Sequence, residues 1–212
     1  APARIRAFRT VAQKEEYTKK ERTADENPYF TWQASTDPDG IAGYYVYFGN
    51  DPNANPVTAG TFQSERSFQA ANVRGDERAY YLRVVAKDTT GLTSFDVQTF
   101  SYIVDTRVSA VTVSAARSGN VGDGIAIQWE RVRHEHVQKY VVRRAEKTSR
   151  GMRNSIKLAV VPSNAYRIVD HSAKRGVQYR YRVGVVDDLG NDRHTQRSSF
   201  IVRTVPQERV VI

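Results

Sequence analysis

The chain has 212 residues, 32 Lys and Arg against 23 Asp and Glu for a net charge of +9, and no cysteine. That length suits two domains of ordinary size, and the missing thiol excludes disulfides, zinc–thiolate sites and cysteine nucleophiles together. No apolar run reaches the roughly 18 residues a membrane-crossing helix needs. Ala1-Pro2-Ala3 has the look of a mature end left by signal removal, although a chain cut at a domain boundary would start the same way.

The charge falls in blocks. Residues 1–26 carry 7 basic against 5 acidic side chains, residues 27–105 carry 5 against 9, and residues 106–212 carry 20 against 9, giving +2, −4 and +11. A basic half of this kind attracts anionic partners: nucleic acid, anionic polysaccharide, a membrane surface, or the acidic half of a neighbouring copy.

In chain order, Ile5 and Ala7 alternate with Arg4 and Arg6 and predict a first strand. Residues 13–26 put Glu15 and Glu16 four positions before Lys19 and Lys20, the helix-favouring order, with almost no apolar face; a solvated, partly helical or mobile excursion is expected. From Tyr29 onward the signals become regular. A strand around Trp32 is followed by the turn Asp37-Pro38-Asp39-Gly40 and a strand from Gly43 to Phe48. Weaker pieces at Val57–Phe62 and Arg66–Ala71 lead to Tyr80–Asp88, and Thr93–Val104 closes the unit.

The pattern then recurs: Val108–Ala115, Ile125–Glu130 around Trp129, Val137–Arg144 around Tyr140, Ile156–Val161, Tyr166–Val169, Tyr179–Asp187 and Thr195–Val205. Tyr80 and Tyr179 lie 99 positions apart and Trp32 and Trp129 lie 97 apart, so one structural unit is present twice. Each Tyr-led run alternates apolar and polar residues and stops at an Asp-started, Gly-relieved turn, Asp88-Thr89-Thr90-Gly91 or Asp187-Asp188-Leu189-Gly190.

An early-strand Trp (Trp32, Trp129), a third-strand Tyr (Tyr44, Tyr140) and a Tyr-led run before a Gly turn (Tyr80 to Gly91, Tyr179 to Gly190), in order and in duplicate, resemble tandem fibronectin type III domains of the bacterial extracellular type. The resemblance covers roughly residues 27–105 and 107–204. It implies an all-β chain of two tandem immunoglobulin-like β-sandwiches in a non-catalytic structural or protein-binding module of a cell-surface or secreted protein. The expected organisation is 1–26, an N-terminal strand and charged excursion joined to the first sandwich; 27–105, sandwich 1; 106–205, sandwich 2; and 206–212, a C-terminal tail. Trp32, Tyr80, Trp129 and Tyr179 are expected to be buried.

Catalytic chemistry finds little footing. His134, His136, His171 and His194 fall in predicted loops with no nucleophile or carboxylate placed beside them, and the glycines sit singly at turns, so neither an enzyme nor a cofactor is expected. His134-Glu135-His136 has metal-like spacing but no further ligands, and Asp37 and Asp39 suffice as a turn, so no metal is expected. Arg74-Gly75-Asp76 spells an integrin-binding tripeptide, yet it precedes the Tyr80 strand and reads more simply as a turn.

The feature with binding potential is a basic sheet face in the second copy. Alternation points Lys139 and Arg143, Arg180 and Arg182, and Arg197 and Arg203 outward on three strands that neighbour one another in this fold. A protein partner or a neighbouring copy is the expected ligand, with anionic polysaccharide, as for an accessory module of a secreted hydrolase, the alternative. The scarcity of aromatics among these cations argues against nucleic acid. The tail, Pro206 to Ile212, ends in Val210, Val211 and Ile212, a β-prone segment able to pair with an open edge; with the opposed block charges it also allows head-to-tail filaments.

Overall fold

The computed structural model describes residues 2–118, 124–132, 136–174, 176–193 and 201–204. Two compact units result, Ala1–Thr106 and Arg107–Ile212. Each is a β-sandwich.

In unit 1, one sheet has β2 (Glu16–Tyr17), β1 (Ala3–Phe8), β4 (Tyr29–Gln33) and β7 (Ser67–Gln69), in that spatial order. The facing sheet has β3 (Arg22–Thr23), β9 (Gln98–Val104), β8 (Arg78–Asp88), β5 (Ile41–Gly49) and β6 (Thr61–Gln63). Apart from β2 and β3, this is the seven-strand arrangement of a fibronectin type III-like sandwich, whose alternate residues meet between the sheets. Phe30, Trp32, Tyr44, Val46, Leu82, Val84, Phe100 and Tyr102 form that core.

In unit 2, β10 (Val113–Ser118), β11 (Ile125–Trp129) and β15 (Arg167–Asp170) make one sheet. The other is built on β12 (Val137–Thr148) and β16 (Gln178–Asp187). Along one edge of β12 lie β13 (Gly151–Met152) and β14 (Ile156–Pro162); along the far edge of β16 lie β17 (Asp192–Arg193) and β18 (Ile201–Thr204). Ile125, Ile127, Trp129, Tyr140, Val142, Tyr179, Tyr181, Val183 and Val185 fill the core.

The duplicated residues do the same work in both units. Trp32 meets Tyr44 edge-on at 5.6 Å, and Trp129 meets Tyr140 at 5.6 Å. In each case the Tyr hydroxyl oxygen accepts a backbone N–H three residues past the Trp, from Ser35 at 3.2 Å or Val132 at 2.9 Å. The Tyr that opens each long run bonds back upstream: Tyr80 donates to the Arg74 carbonyl at 3.0 Å, and Tyr179 accepts from the Lys174 N–H at 3.0 Å. Each run ends on a buried aspartate that caps its own turn. Asp88 accepts from Thr90 Oγ1 and the Leu92 N–H, Asp187 from the Leu189 and Asn191 N–H groups, and Gly91 and Gly190 take the positive φ.

Three expectations need correction. Tyr80 is half-buried, because it sits at the open end of its strand against Phe48 and Tyr102. Residues Pro56–Ala59, at the start of the piece expected to be a strand, form one helical turn, α1, with Asn55 as its cap and Pro56 opening it.

The largest departure is at residues 13–26, which are neither helical nor solvated throughout. They pass from one sheet to the other as β2 and β3, β2 antiparallel to β1 and β3 parallel to β9. Glu15 and Glu16, which would have made helical pairs, bind arginines instead, Glu16 to Arg6 across β2 and β1 at 2.6 Å and Glu15 to Arg9 at 3.3 Å, and Glu21 also meets Arg9 at 3.2 Å. Exposed pairs of this kind add little. What decides the path is burial of the Tyr17 ring, stacked on Tyr102 at 6.2 Å, and of Thr23. Tertiary burial of this size overrides a local helix preference.

Candidate binding surface

On the outward face of the β12–β16 sheet the register brings cations together. Arg143 stands directly opposite Arg182 on β16 and opposite Lys157 on β14, so three cations form one row across three strands. Lys139 lies opposite Val186 in the same outward set, and Arg180 opposite Ala145. Lys157 is exposed, while Lys139, Arg143, Arg180 and Arg182 are half-buried. Among the described residues one carboxylate, Asp192, shares the face, at the register position opposite Val186.

The first unit supplies an internal comparison. Tyr47 and Arg83 occupy the positions equivalent to Arg143 and Arg182 and are likewise directly opposed. There the Arg83 guanidinium is tied to the Ala54 carbonyl at 2.8 Å and to the Pro52 carbonyl, under a loop that folds over the sheet. In the second unit the same pair is Arg against Arg. Directly opposed like charges disfavour a sheet pair. Such a row suits carboxylate or sulfate groups, because guanidinium donors bind planar oxyanions in bidentate fashion.

Two sequence-predicted members of the face stand differently. In the register of β18 against β16, Arg203 is opposite Tyr179 and Val202 is opposite Arg180, a pairing that strand alternation alone could not supply. Arg197, and the tail residues Val210, Val211 and Ile212, lie outside the described residues.

The remaining candidate motifs are used by the fold. Gly75 of Arg74-Gly75-Asp76 is buried; it accepts from the Thr106 N–H at 3.0 Å, and a Cβ there would stand 2.7 Å from Arg78 Cβ and 2.8 Å from the Val104 carbonyl. Gly75→Ala is therefore expected to cost about 1–3 kcal/mol by overpacking. Asp76→Ala, at an exposed side chain, is expected to leave thermal unfolding unchanged. Asp37 caps the Asp39 N–H at 3.0 Å, closing its turn with Gly40 at φ 84°. His136 lies 3.4 Å from Asp188, and His134 is outside the described residues.

Sequence reasoning missed a buried ion pair beside this face. Arg144 points to the core side and donates to Asp170 Oδ2 at 2.7 Å, with its guanidinium 4.7 Å from the Tyr179 ring centre. Asp170 also accepts from Tyr181 Oη at 2.7 Å and from Ser172 Oγ at 2.6 Å. Burial alone would raise the Asp170 pKa; the bonds from Ser172, Tyr181 and Arg144 and the arginine charge outweigh it and hold the carboxyl below its ordinary value. The available signal was the even position of Arg144, in phase with Tyr140 and Val142.

The fold and surface define an all-β chain of two fibronectin type III-like sandwiches. No family model matches the chain, and no curated protein matches it. Among solved structures, the crystal structure of the chicken CNTN1 FN1-FN3 domains is similar over 89% of this chain, at 13% identity and a TM-score of 0.41. The match takes in 62% of that structure's chain, so this protein spans less than two thirds of it.

Proposed function

We propose that the chain is a non-catalytic structural or binding module of a secreted or cell-surface protein, and that the cationic face of unit 2 contacts a protein partner. The observation that carries the non-catalytic reading is the use made of buried charge. Among the described residues the buried carboxylates Asp88, Asp105, Asp170 and Asp187 are each engaged in turn caps or ion pairs that hold the fold. Functional chemistry is then left to the surface, where the Lys157–Arg143–Arg182 row concentrates charge. The extracellular setting rests on the resemblance carried by the duplicated Trp and Tyr motifs.

The linear course of that row favours a second reading, an anionic polysaccharide. Binding of the intact chain to an immobilised acidic protein, an anionic polysaccharide and a neutral polysaccharide, at physiological salt, separates the two. Arg143→Glu with Arg182→Glu is expected to weaken the productive interaction by at least about tenfold, as expected when close interfacial charge pairs are lost. Equal binding by intact and reversed chains would remove this face from both readings.

A further inference from the structure

In unit 1 the segment leading into β9 does not follow its partner β8 evenly. The Ser94 N–H donates to the Ala86 carbonyl at 2.8 Å, and Gln98 stands opposite Val84, so Phe95, Asp96 and Val97 occupy the length of the single residue Val85. The Ser94 hydroxyl holds this bulge in shape: it accepts from the Ala86 N–H at 3.2 Å and donates to the Asp96 carbonyl at 3.2 Å. A bulge of this kind re-aims a side chain. Here it puts the Phe95 ring wholly in solvent, 100% exposed, where it adds no burial to the fold.

Facing the bulge is the loop of residues 50–57. It is tied down by Asn50, which donates to the Ala79 carbonyl at 2.8 Å, and by Arg83, which donates to the Ala54 and Pro52 carbonyls. Between loop and bulge lies a groove of about 470 Å³, within the range of small-ligand sites. Asn53 and Asn55 stand on the loop side, Thr93 and Phe95 on the other, and Arg83 and Val85 of β8 between them. Much of the hydrogen-bonding capacity here is unspent. The Asn53 carboxamide has no partner among the described residues, Asn55 uses only its Oδ1, which accepts the Val57 N–H at 2.9 Å, and Arg83 uses two of its five N–H donors.

We infer that this groove is a binding subsite for a neutral, β-linked pyranose chain. A pyranose with equatorial substituents shows C–H bonds on its ring faces and hydroxyls at its rim. The C–H face suits the electron-rich face of Phe95. The hydroxyls both donate and accept, so they match carboxamides and guanidinium N–H groups together. An apolar protein anchor would instead bury those carboxamides unsatisfied, at a cost in free energy. A polyanion is disfavoured by the net −4 of residues 27–105. Loop and bulge are both held by the fold, so little ordering is lost on binding. The subsite lies in unit 1 and does not rest on the cationic face of unit 2.

Amide NMR of the intact chain, titrated with cellohexaose, xylohexaose and chitohexaose, tests this. At least one is expected to give saturable shifts confined to residues 53–57, 83–85 and 93–97, with an affinity unchanged between low and physiological salt, since no ion pair forms. Phe95→Ala, at a side chain the fold does not use, is expected to keep the thermal transition and to weaken binding at least about tenfold. Asn53→Ala weakens it several-fold. Phe95→Trp retains binding and Phe95→Leu does not, which separates stacking on a ring from general apolar contact. Tyr166→Ala, which removes a ring 51% exposed in unit 2, binds like the intact chain, as does Arg143→Glu with Arg182→Glu. The proposal is overturned if none of the three saccharides shifts these amides at millimolar concentration, if Phe95→Ala binds unchanged, or if Phe95→Leu binds as well as Phe95→Trp. If Phe95→Ala fails to fold, Asn53→Ala decides, and unchanged binding there overturns the proposal.

Discussion

Trp129→Ala lowers the stability of unit 2 by about 3–5 kcal/mol, the range for removing a large aromatic side chain from a packed core. Trp129 is 2% exposed, and its ring stands edge-on to Tyr140, an arrangement that adds to the area term. The same truncation releases Tyr140, whose hydroxyl fixes the Val132 amide and hence the exit of the chain from β11. Trp32→Ala carries the same cost in unit 1, through Tyr44 and the Ser35 amide. The measurement is calorimetry of each variant, in which the transition of the affected unit moves; in Trp129→Ala the fluorescence of Trp32, then the sole tryptophan, follows unit 1. A shift below 1 kcal/mol in both variants would contradict the core assignment.

Arg144→Met leaves Asp170 with a buried negative charge and no cation, and is expected to destabilise unit 2 by about 3–5 kcal/mol. Arg144→Met with Asp170→Asn recovers much of that loss, because the cost lies in the orphaned charge and not in the absence of the pair. The pair also sets an acid limit. The folded-state pKa of Asp170 is depressed, so its contribution is complete above the ordinary carboxylate pKa near 4 and is lost as pH falls through that value towards the folded one. Asp88 is depressed too: burial raises it, and the bonds from Thr90, Leu92 and Gly91 prevail, so unit 1 loses stability in the same direction. Thermal melts between pH 7 and about pH 2 are expected to show the unit 2 transition falling below about pH 4 in the intact chain. The fall is shallower in the double variant. A pH-independent transition in the intact chain would count against the buried-pair account.

Of the cationic face, the sequence carries the alternation along each strand and not the register between strands. Strand alternation puts Lys139 and Arg143 on one side of β12 and Arg180 and Arg182 on one side of β16, because neighbouring residues of a strand must face opposite ways. It could not show that Arg143 stands against Arg182 and Lys157, since register is set between strands tens of residues apart. For Arg203 the same holds: alternation has no reference point until pairing with β16 sets Arg203 opposite Tyr179.

By itself the sequence determined the all-β class, the duplication and the core. Trp32 with Tyr44 and Trp129 with Tyr140 are local alternation signals repeated at nearly constant spacing, and each carries its own reason to be buried. The two turns that start at Asp88 and Asp187 were equally plain, because an aspartate capping its own turn needs no distant partner. Only the tertiary structure decided the rest. It drew residues 13–26 out of their helical charge pattern into β2 and β3 by burying Tyr17 and Thr23, and it joined Arg144 to Asp170 across 26 positions of chain. It also gave unit 2 the seven-residue strand β14 where unit 1 has the three-residue β6. In each case the deciding contact is between segments far apart in sequence, and its free energy is larger than any local preference it overrides.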